Sequence, residues 1–365
     1  MDISLLRTMN RHQIREFEPN KYGTVNPQVP GSSPGRGARR HKGFSGFFKS
    51  LSVRKSGVSP QLFILAALLL TACGGNSDPQ PQQRIASTTT ASFIQKGAVW
   101  PQGGESTPIV WKGDLLYVMT HTDSAGIHNR IYRQSDRVLL ADNLSGIGFI
   151  SALVNGGTLY VFGSAGSDGR GTTVISMTST TDLVSWTIPT VIYTAPPGTL
   201  LYNTSVAPDP TGWVMAYEVC EIGNICFNAR FLHSTDLVNW SPIGGVYEYG
   251  YYTACPTIRW ANGYYYVFYL SRYPPANKGG QSYYATNVSR SADLRNWEFS
   301  QTTVLSPLDG GDASWNASDM DFVEFGGQVR IIYGNGSQFG QVLPNTGTRE
   351  ALFNGTEQQF LEGFF

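Results

Sequence analysis

From about Trp100 to the C-terminus the chain repeats one pattern: an apolar stretch with alternating polarity, a turn containing glycine, then a second stretch rich in tyrosine. Five instances recur, Pro108–Met119, Ser151–Gly163, Ser205–Glu218, Pro256–Tyr269 and Met320–Tyr333, built around Gly113, Gly157, Gly212, Gly263 and Gly327. Period-two alternation on both sides of a glycine turn predicts a β-hairpin. The distance to the next hairpin leaves room for two further strands each time. No segment carries a long helical period, which argues against an α/β architecture. The pattern predicts an all-β fold: a single five-bladed β-propeller of four-stranded antiparallel blades spanning residues 96–365.

A second repeat lies between the hairpins. Thr180-Thr181-Asp182-Leu183-Val184-Ser185-Trp186, Ser234-Thr235-Asp236-Leu237-Val238-Asn239-Trp240 and Ser291-Ala292-Asp293-Leu294-Arg295-Asn296-Trp297 place their aspartates 54 and 57 residues apart. The aspartate suits a side-chain cap of a tight turn and the tryptophan suits packing between neighbouring sheets, so structure alone accounts for the motif. Blade strands joined to Ser/Thr-x-Asp-Leu-x-x-Trp turns resemble the five-bladed glycoside hydrolases, the group containing families 43, 32, 62, 68, 117 and 130. The resemblance covers roughly Trp100–Phe365 and implies hydrolysis of O-glycosidic bonds in oligo- or polysaccharides. A non-catalytic glycan-binding propeller is the alternative, because the turn marks the fold more than the activity.

The N-terminal quarter follows a different pattern. Arg54 and Lys55 precede the apolar run Leu62–Leu70, too short to span a bilayer and proportioned like a signal-peptide core. It ends in Leu70-Thr71-Ala72-Cys73-Gly74-Gly75, which resembles the bacterial lipobox, in which the cysteine is acylated. Residues 54–73 therefore read as a lipoprotein signal peptide with lipidation, including palmitate, at Cys73. Residues 1–53, with Val29-Pro30-Gly31-Ser32-Ser33-Pro34-Gly35, read as a spurious or disordered extension. Residues 74–95, rich in Ser, Thr, Gln and Pro, read as a flexible linker. The expected location is the bacterial cell envelope, lipid-anchored at the outer membrane or periplasmic face. The formal charge of zero conceals an asymmetry: Gly74–Phe365 holds 15 Lys and Arg against 23 Asp and Glu, a net −8. That sign argues against nucleic acid as a partner; carbohydrate and membrane are expected instead, for a monomer.

Glycoside hydrolysis usually needs two carboxylates flanking the scissile bond. Blade five offers Trp315-Asn316-Ala317-Ser318-Asp319-Met320-Asp321, in which strand geometry turns Asp319 and Asp321 to one face. Blade three offers Glu218, ending an otherwise apolar strand where burial would raise its pKa toward that of a general acid. The resemblance also implies an acid glutamate in this middle blade. Family 43 enzymes begin blade one with an Asp-Pro base, whereas this chain reads Glu105-Ser106-Thr107-Pro108, with Glu105 on the face of Thr107. Blade two reads Phe149-Ile150-Ser151 where an inner aspartate is expected. Either Glu218, Asp319 and Asp321 form a different catalytic set, or hydrolysis has been lost and binding kept.

Expected substrate contacts are Glu105, Asn203, Arg259, Asn316 and Gln338, with the aromatic surfaces of Trp100, Tyr251, Tyr252 and Trp315. Arg259 either neutralises the aspartates, grips the sugar, or forms a structural ion pair. Cys220 and Cys226 bracket a hairpin turn and suit a disulfide, leaving Cys255 as a buried thiol beside the cavity. No His/Cys spacing suggests zinc. No cofactor is required; a structural calcium is left open. The apolar Ala351–Phe365 segment is expected to be ordered, either docked on blade one or packed as a short helix.

Overall fold

The computed structural model describes residues 89–365 apart from 101–103, 124–125, 165–170, 222–225, 245–246, 248–251, 274–282, 310–314 and 337–346. The expectations for residues 1–88, Cys73 included, and for Tyr251 and Gln338 lie outside the described residues.

The first strand, β1 (Gln95–Trp100), is not part of the first blade. Blade one comprises β2 (Ser106–Trp111), β3 (Asp114–Asp123), β4 (Gly126–Arg133) and β5 (Leu139–Ser145). Blade two comprises β6 (Ser151–Asn155), β7 (Thr158–Gly163), β8 (Val174–Thr180) and β9 (Thr190–Thr194). Blade three holds β10 (Thr199–Asp209), β11 (Gly212–Glu221), β12 (Asn228–Ser234) and β13 (Ser241–Ile243). Blade four holds β14 (Ala254–Ala261), β15 (Tyr264–Tyr273), β16 (Tyr283–Ser291) and β17 (Glu298–Phe299). Blade five joins β18 (Ser318–Phe325), β19 (Gln328–Asn335) and β20 (Gly347–Asn354) to β1, which is its outermost strand. Every pairing within a blade is antiparallel, and β2, β6, β10, β14 and β18 touch their neighbours in a closed cycle. The fold is thus an all-β five-bladed propeller, with these five strands innermost.

Two devices close the ring. Gln95 pairs with Leu352 and Trp100 with Thr348, so the start of the domain completes its last sheet. After β20, Thr356 caps a helix, α1 (Glu357–Glu362), through a reciprocal capping box with Gln359. The helix buries Phe360 and Leu361, and Phe364 follows them into a cluster with Phe268 and Phe322. The C-terminal segment is therefore ordered, and it fills the junction of blades four and five rather than docking on blade one.

The repeated Asp-Leu-x-x-Trp turn connects the third and fourth strands of blades two, three and four. Asp236 Oδ1 accepts hydrogen bonds from the Val238 and Asn239 backbone N–H groups at 2.9 and 2.7 Å, and Asp182 and Asp293 accept the equivalent pairs. These donors hold the three carboxyls below their usual range. Leu183, Leu237 and Leu294 take left-handed φ values of 65°, 65° and 59°. That conformation turns each leucine inward, where with its tryptophan it packs on the preceding blade: Trp186 against blade one, Trp240 against blade two, Trp297 against blade three. Blade one carries a fourth copy that the sequence disguises. Asp136 caps Val138 N–H, Arg137 has φ 60°, and its guanidinium lies 4.7 Å over the ring of Trp100 in blade five.

Candidate active site

Each hairpin turn fixes a count. The last paired residues of the inner strands are Trp111, Asn155, Asp209, Ala261 and Phe325. Six residues before them stand Glu105, Phe149, Asn203, Cys255 and Asp319, one per blade, at the mouth of the innermost strands. In blades three, four and five the ladder register shifts across this position. Phe149, Cys255 and Asp319 share a left-handed φ of 51°, a conformation that costs a non-glycine residue about 1–3 kcal/mol. The shift and the unusual φ free these residues from the ladder and point them at the axis.

The next inner layer, two residues on, is a ring of hydroxyls that stitches blade to blade. Ser151 Oγ meets Thr204 Oγ1 at 3.0 Å, Ser205 Oγ accepts from Ile258 N–H at 3.0 Å, and Thr257 Oγ1 donates to the Met320 carbonyl at 2.6 Å. In blade five this layer holds Asp321 instead. Its carboxylate pairs with Arg259 at 2.5 Å and accepts the Phe322 N–H at 2.8 Å. Arg259 also donates to the Ile258 and Phe322 carbonyls and stacks 4.5 Å over the Phe322 ring. The arginine thus ties blade four to blade five. It is not among the residues lining the central cleft.

That cleft takes in about 290 Å3, part of it open to solvent, and its walls include Glu105, Thr107, Asn203, Cys255, Asp319 and Asp321. Glu218 stands one strand further out on β11, 3% exposed. Its Oε2 accepts from Asn203 Nδ2 at 3.0 Å and from the Cys255 N–H at 2.6 Å, while Oε1 takes no hydrogen bond from a described residue. Burial pushes the Glu218 carboxyl up to about 8, with the charge of Asp319 adding to it and the two donors opposing. Asp319 is also raised by burial, opposed by the nearby Cys255 thiol and by the Ser318 hydroxyl, which donates to it. Glu105 is held well above the usual carboxylate range, first by burial and then by Asp319 and Glu218. Three carboxyls from blades one, three and five therefore share one electrostatic environment, and no Lys, Arg or His is among the described residues lining it.

The set brought together is Glu105, Glu218 and Asp319. Asp321 also lines the cleft, and it pairs with Arg259. Asn203 lines the cleft itself and donates to Glu218 behind it. Asn316 is buried beside blade five, donating to Ser318 Oγ at 2.6 Å. Trp100 is buried against Tyr117 and Tyr132, so it serves the closure of the ring, and Trp315 packs beside Tyr273 and Tyr283. Tyr252 belongs to an aromatic arc, Phe149, Tyr202, Phe227, Tyr252 and Tyr284, whose successive rings lie 5.2–5.8 Å apart. A disulfide joins Cys220 to Cys226 at the head of the β11–β12 hairpin. Among the described residues no group of three or more His, Cys, Asp or Glu side chains is placed to hold a metal ion.

No protein-family model matches this sequence, and no curated protein matches it. Solved structures do match in shape. An α-L-arabinofuranosidase from Lactobacillus brevis superposes with a TM-score of 0.54 at 14% identity, over 71% of this chain and 95% of that one. The α-L-arabinofuranosidase PaAbf62A from Podospora anserina, solved in complex with cellotriose, gives 0.53 at 12% identity, over 74% of this chain and 99% of that one. The Bacteroides ovatus protein described as xyloglucan PUL GH43B gives 0.51 at 13% identity over 71% of this chain, which spans only 53% of that longer protein. At such identities the likeness establishes architecture, and the architecture is the five-bladed propeller seen in glycoside hydrolases.

Proposed function

We propose that this chain is a glycoside hydrolase acting on oligo- or polysaccharide, with Glu218 as general acid and Asp319 as the second carboxylate. The observation that carries this reading is the Glu218 environment. A carboxyl whose value stands near 8 is protonated at neutral pH, and both donors address Oε2, leaving Oε1 to carry the proton toward a glycosidic oxygen. Asp319, at the blade-five ring position, serves as base or nucleophile, and Glu105 is the third member. Asp321 is left out of the chemistry, since its charge is spent on Arg259. The anchor at Cys73 and a place in the bacterial cell envelope belong to the same proposal, and so does a monomeric state.

A binding-only propeller is the second reading, favoured by one observation: blade two presents Phe149, not a carboxylate, at the ring position. One experiment separates them. The full chain and its Glu218→Gln variant are incubated with aryl glycosides, α-L-arabinofuranosides among them, and with plant, algal and bacterial oligosaccharides. Sugar release by the wild type that disappears in the variant supports hydrolysis, whereas retention of an oligosaccharide without release supports the lectin-like reading.

A further inference from the structure

The hairpin that carries Glu218 ends in a covalent link. β11 and β12 pair as far as Val219 and Asn228, one step beyond the pair Glu218 and Ala229. There Phe227 turns to a left-handed φ of 65°, its N–H donates to the Val219 carbonyl at 2.7 Å, and the disulfide joins Cys220 to Cys226. The Phe227 carbonyl meets the segment entering blade four, where it accepts the Thr253 N–H at 3.0 Å. Its buried ring lies 5.2 Å from Tyr202 and 5.8 Å from Tyr252, and Cys226 packs on the same cluster. Two residues past Thr253, the backbone N–H of Cys255 donates to Glu218 Oε2 at 2.6 Å. The contacts close a circuit that leaves Glu218 along β11, passes the disulfide, Phe227 and Thr253, and returns to the Glu218 carboxyl.

We infer that Cys220 and Cys226 are positioning residues for Glu218: their disulfide holds Phe227 in its turn, and Phe227 holds the Thr253–Cys255 segment whose backbone donates to the carboxyl. The catalytic consequence rests on the hydrolase reading, whereas the contacts stand without it. A left-handed conformation is unfavourable for phenylalanine and persists only where its surroundings impose it. The disulfide, one residue away, is the covalent part of those surroundings. Misplacing a catalytic group by about 1 Å costs up to about 10²-fold in rate, so the link bears on the reaction through the geometry of the carboxyl.

The test uses the full chain, oxidised and after reduction with tris(2-carboxyethyl)phosphine, beside the Cys220→Ser/Cys226→Ser double variant without reductant. Hydrogen exchange read by mass spectrometry should show the peptide spanning Thr253–Cys255 exchanging about tenfold faster once the disulfide is open, with β3 and β20 unchanged. Unchanged exchange at Thr253–Cys255 overturns the proposal whether or not any glycoside is turned over. Acceleration of β3 and β20 by the same factor also overturns it, since that marks a general loss of stability. On a substrate that the wild type hydrolyses, opening the disulfide should lower kcat by about 10–10²-fold with KM within about twofold, because a misdirected acid weakens the transition state more than the ground state. Reductant should cost the wild type this activity and leave the double variant unaffected. An unaltered kcat in the reduced wild type overturns the positioning role, and the reduced wild type decides the matter if the double variant fails to fold.

Discussion

The rim of each blade and the mouth of each innermost strand are both repeated positions, yet one repeats its residues and the other does not. At the rim, Asp182, Asp236 and Asp293 make the same hydrogen bonds, and Leu183, Leu237 and Leu294 adopt the same conformation. At the mouth, the equivalent residues are Glu105, Phe149, Asn203, Cys255 and Asp319. Packing asks the same of every blade, because each must bury a similar seam against its predecessor. A reaction at the axis asks something different of each blade, because a substrate has no five-fold symmetry.

If the division is sound, the largest effect should come from the mouth and leave the fold untouched. Glu218→Gln should lower turnover by about 10²–10⁴-fold while the variant still unfolds cooperatively, read by sugar release alongside calorimetry. The rim should behave in the opposite way. Trp240→Ala removes a ring that packs edge-on to Phe162 at 6.1 Å and should cost about 3–5 kcal/mol in denaturant unfolding, while activity per folded molecule stays near wild type.

A smaller and sharper contrast lies in pH. Because the folded state holds the Glu218 proton up to about 8, above the ordinary 4.5, this residue stabilises the fold at low pH and that contribution is lost as pH rises between those values. Stability of Glu218→Gln should therefore fall less steeply than wild type over that window, and the alkaline limb of wild-type turnover should lie near pH 8. Asp236 has the opposite sign. Its carboxyl is held low by the Asn239 and Val238 donors, so its contribution is present above the ordinary 3.8 and fades as the solution is acidified below it. Asp236→Asn should give the smallest change, a slightly lower Tm at neutral pH that converges with wild type in acid.

The rim was readable in the sequence because its constraint is local: an aspartate caps the amides two and three residues on, within one turn. Blade number was readable for the same reason, hairpin by hairpin. The composition of the site was only half readable. Glu218 and Asp319 were legible as carboxyls on apolar strands, but which carboxyls meet depends on neighbours a blade away. Arg259 is 62 residues from Asp321; an ion pair is among the alternatives the sequence leaves for that arginine, but which aspartate it holds depends on the meeting of two blades. The sequence places Glu105 at the site as a substrate contact and Cys255 as a thiol beside the cavity, without their equivalence as ring positions. Counting six positions back from each hairpin turn would have aligned all five mouth residues, since the turns themselves were recognisable. The disguised copy in blade one was hidden because Arg137 replaces leucine and reaches Trp100 through its guanidinium.

The strand that closes the ring has a consequence for how the protein is made. Arg349 donates to the Gly97 carbonyl across 252 residues, so β1 leaves the ribosome long before its partner β20 exists. At about 5–20 residues per second the wait is on the order of 10–50 s, during which the segment that will become an outer strand has no sheet to join. Blades one to four can form in order as they emerge, but the circle is sealed only once β20 has been made. Any factor that shields β1 in the interval would act on the yield of folded protein without touching the finished molecule.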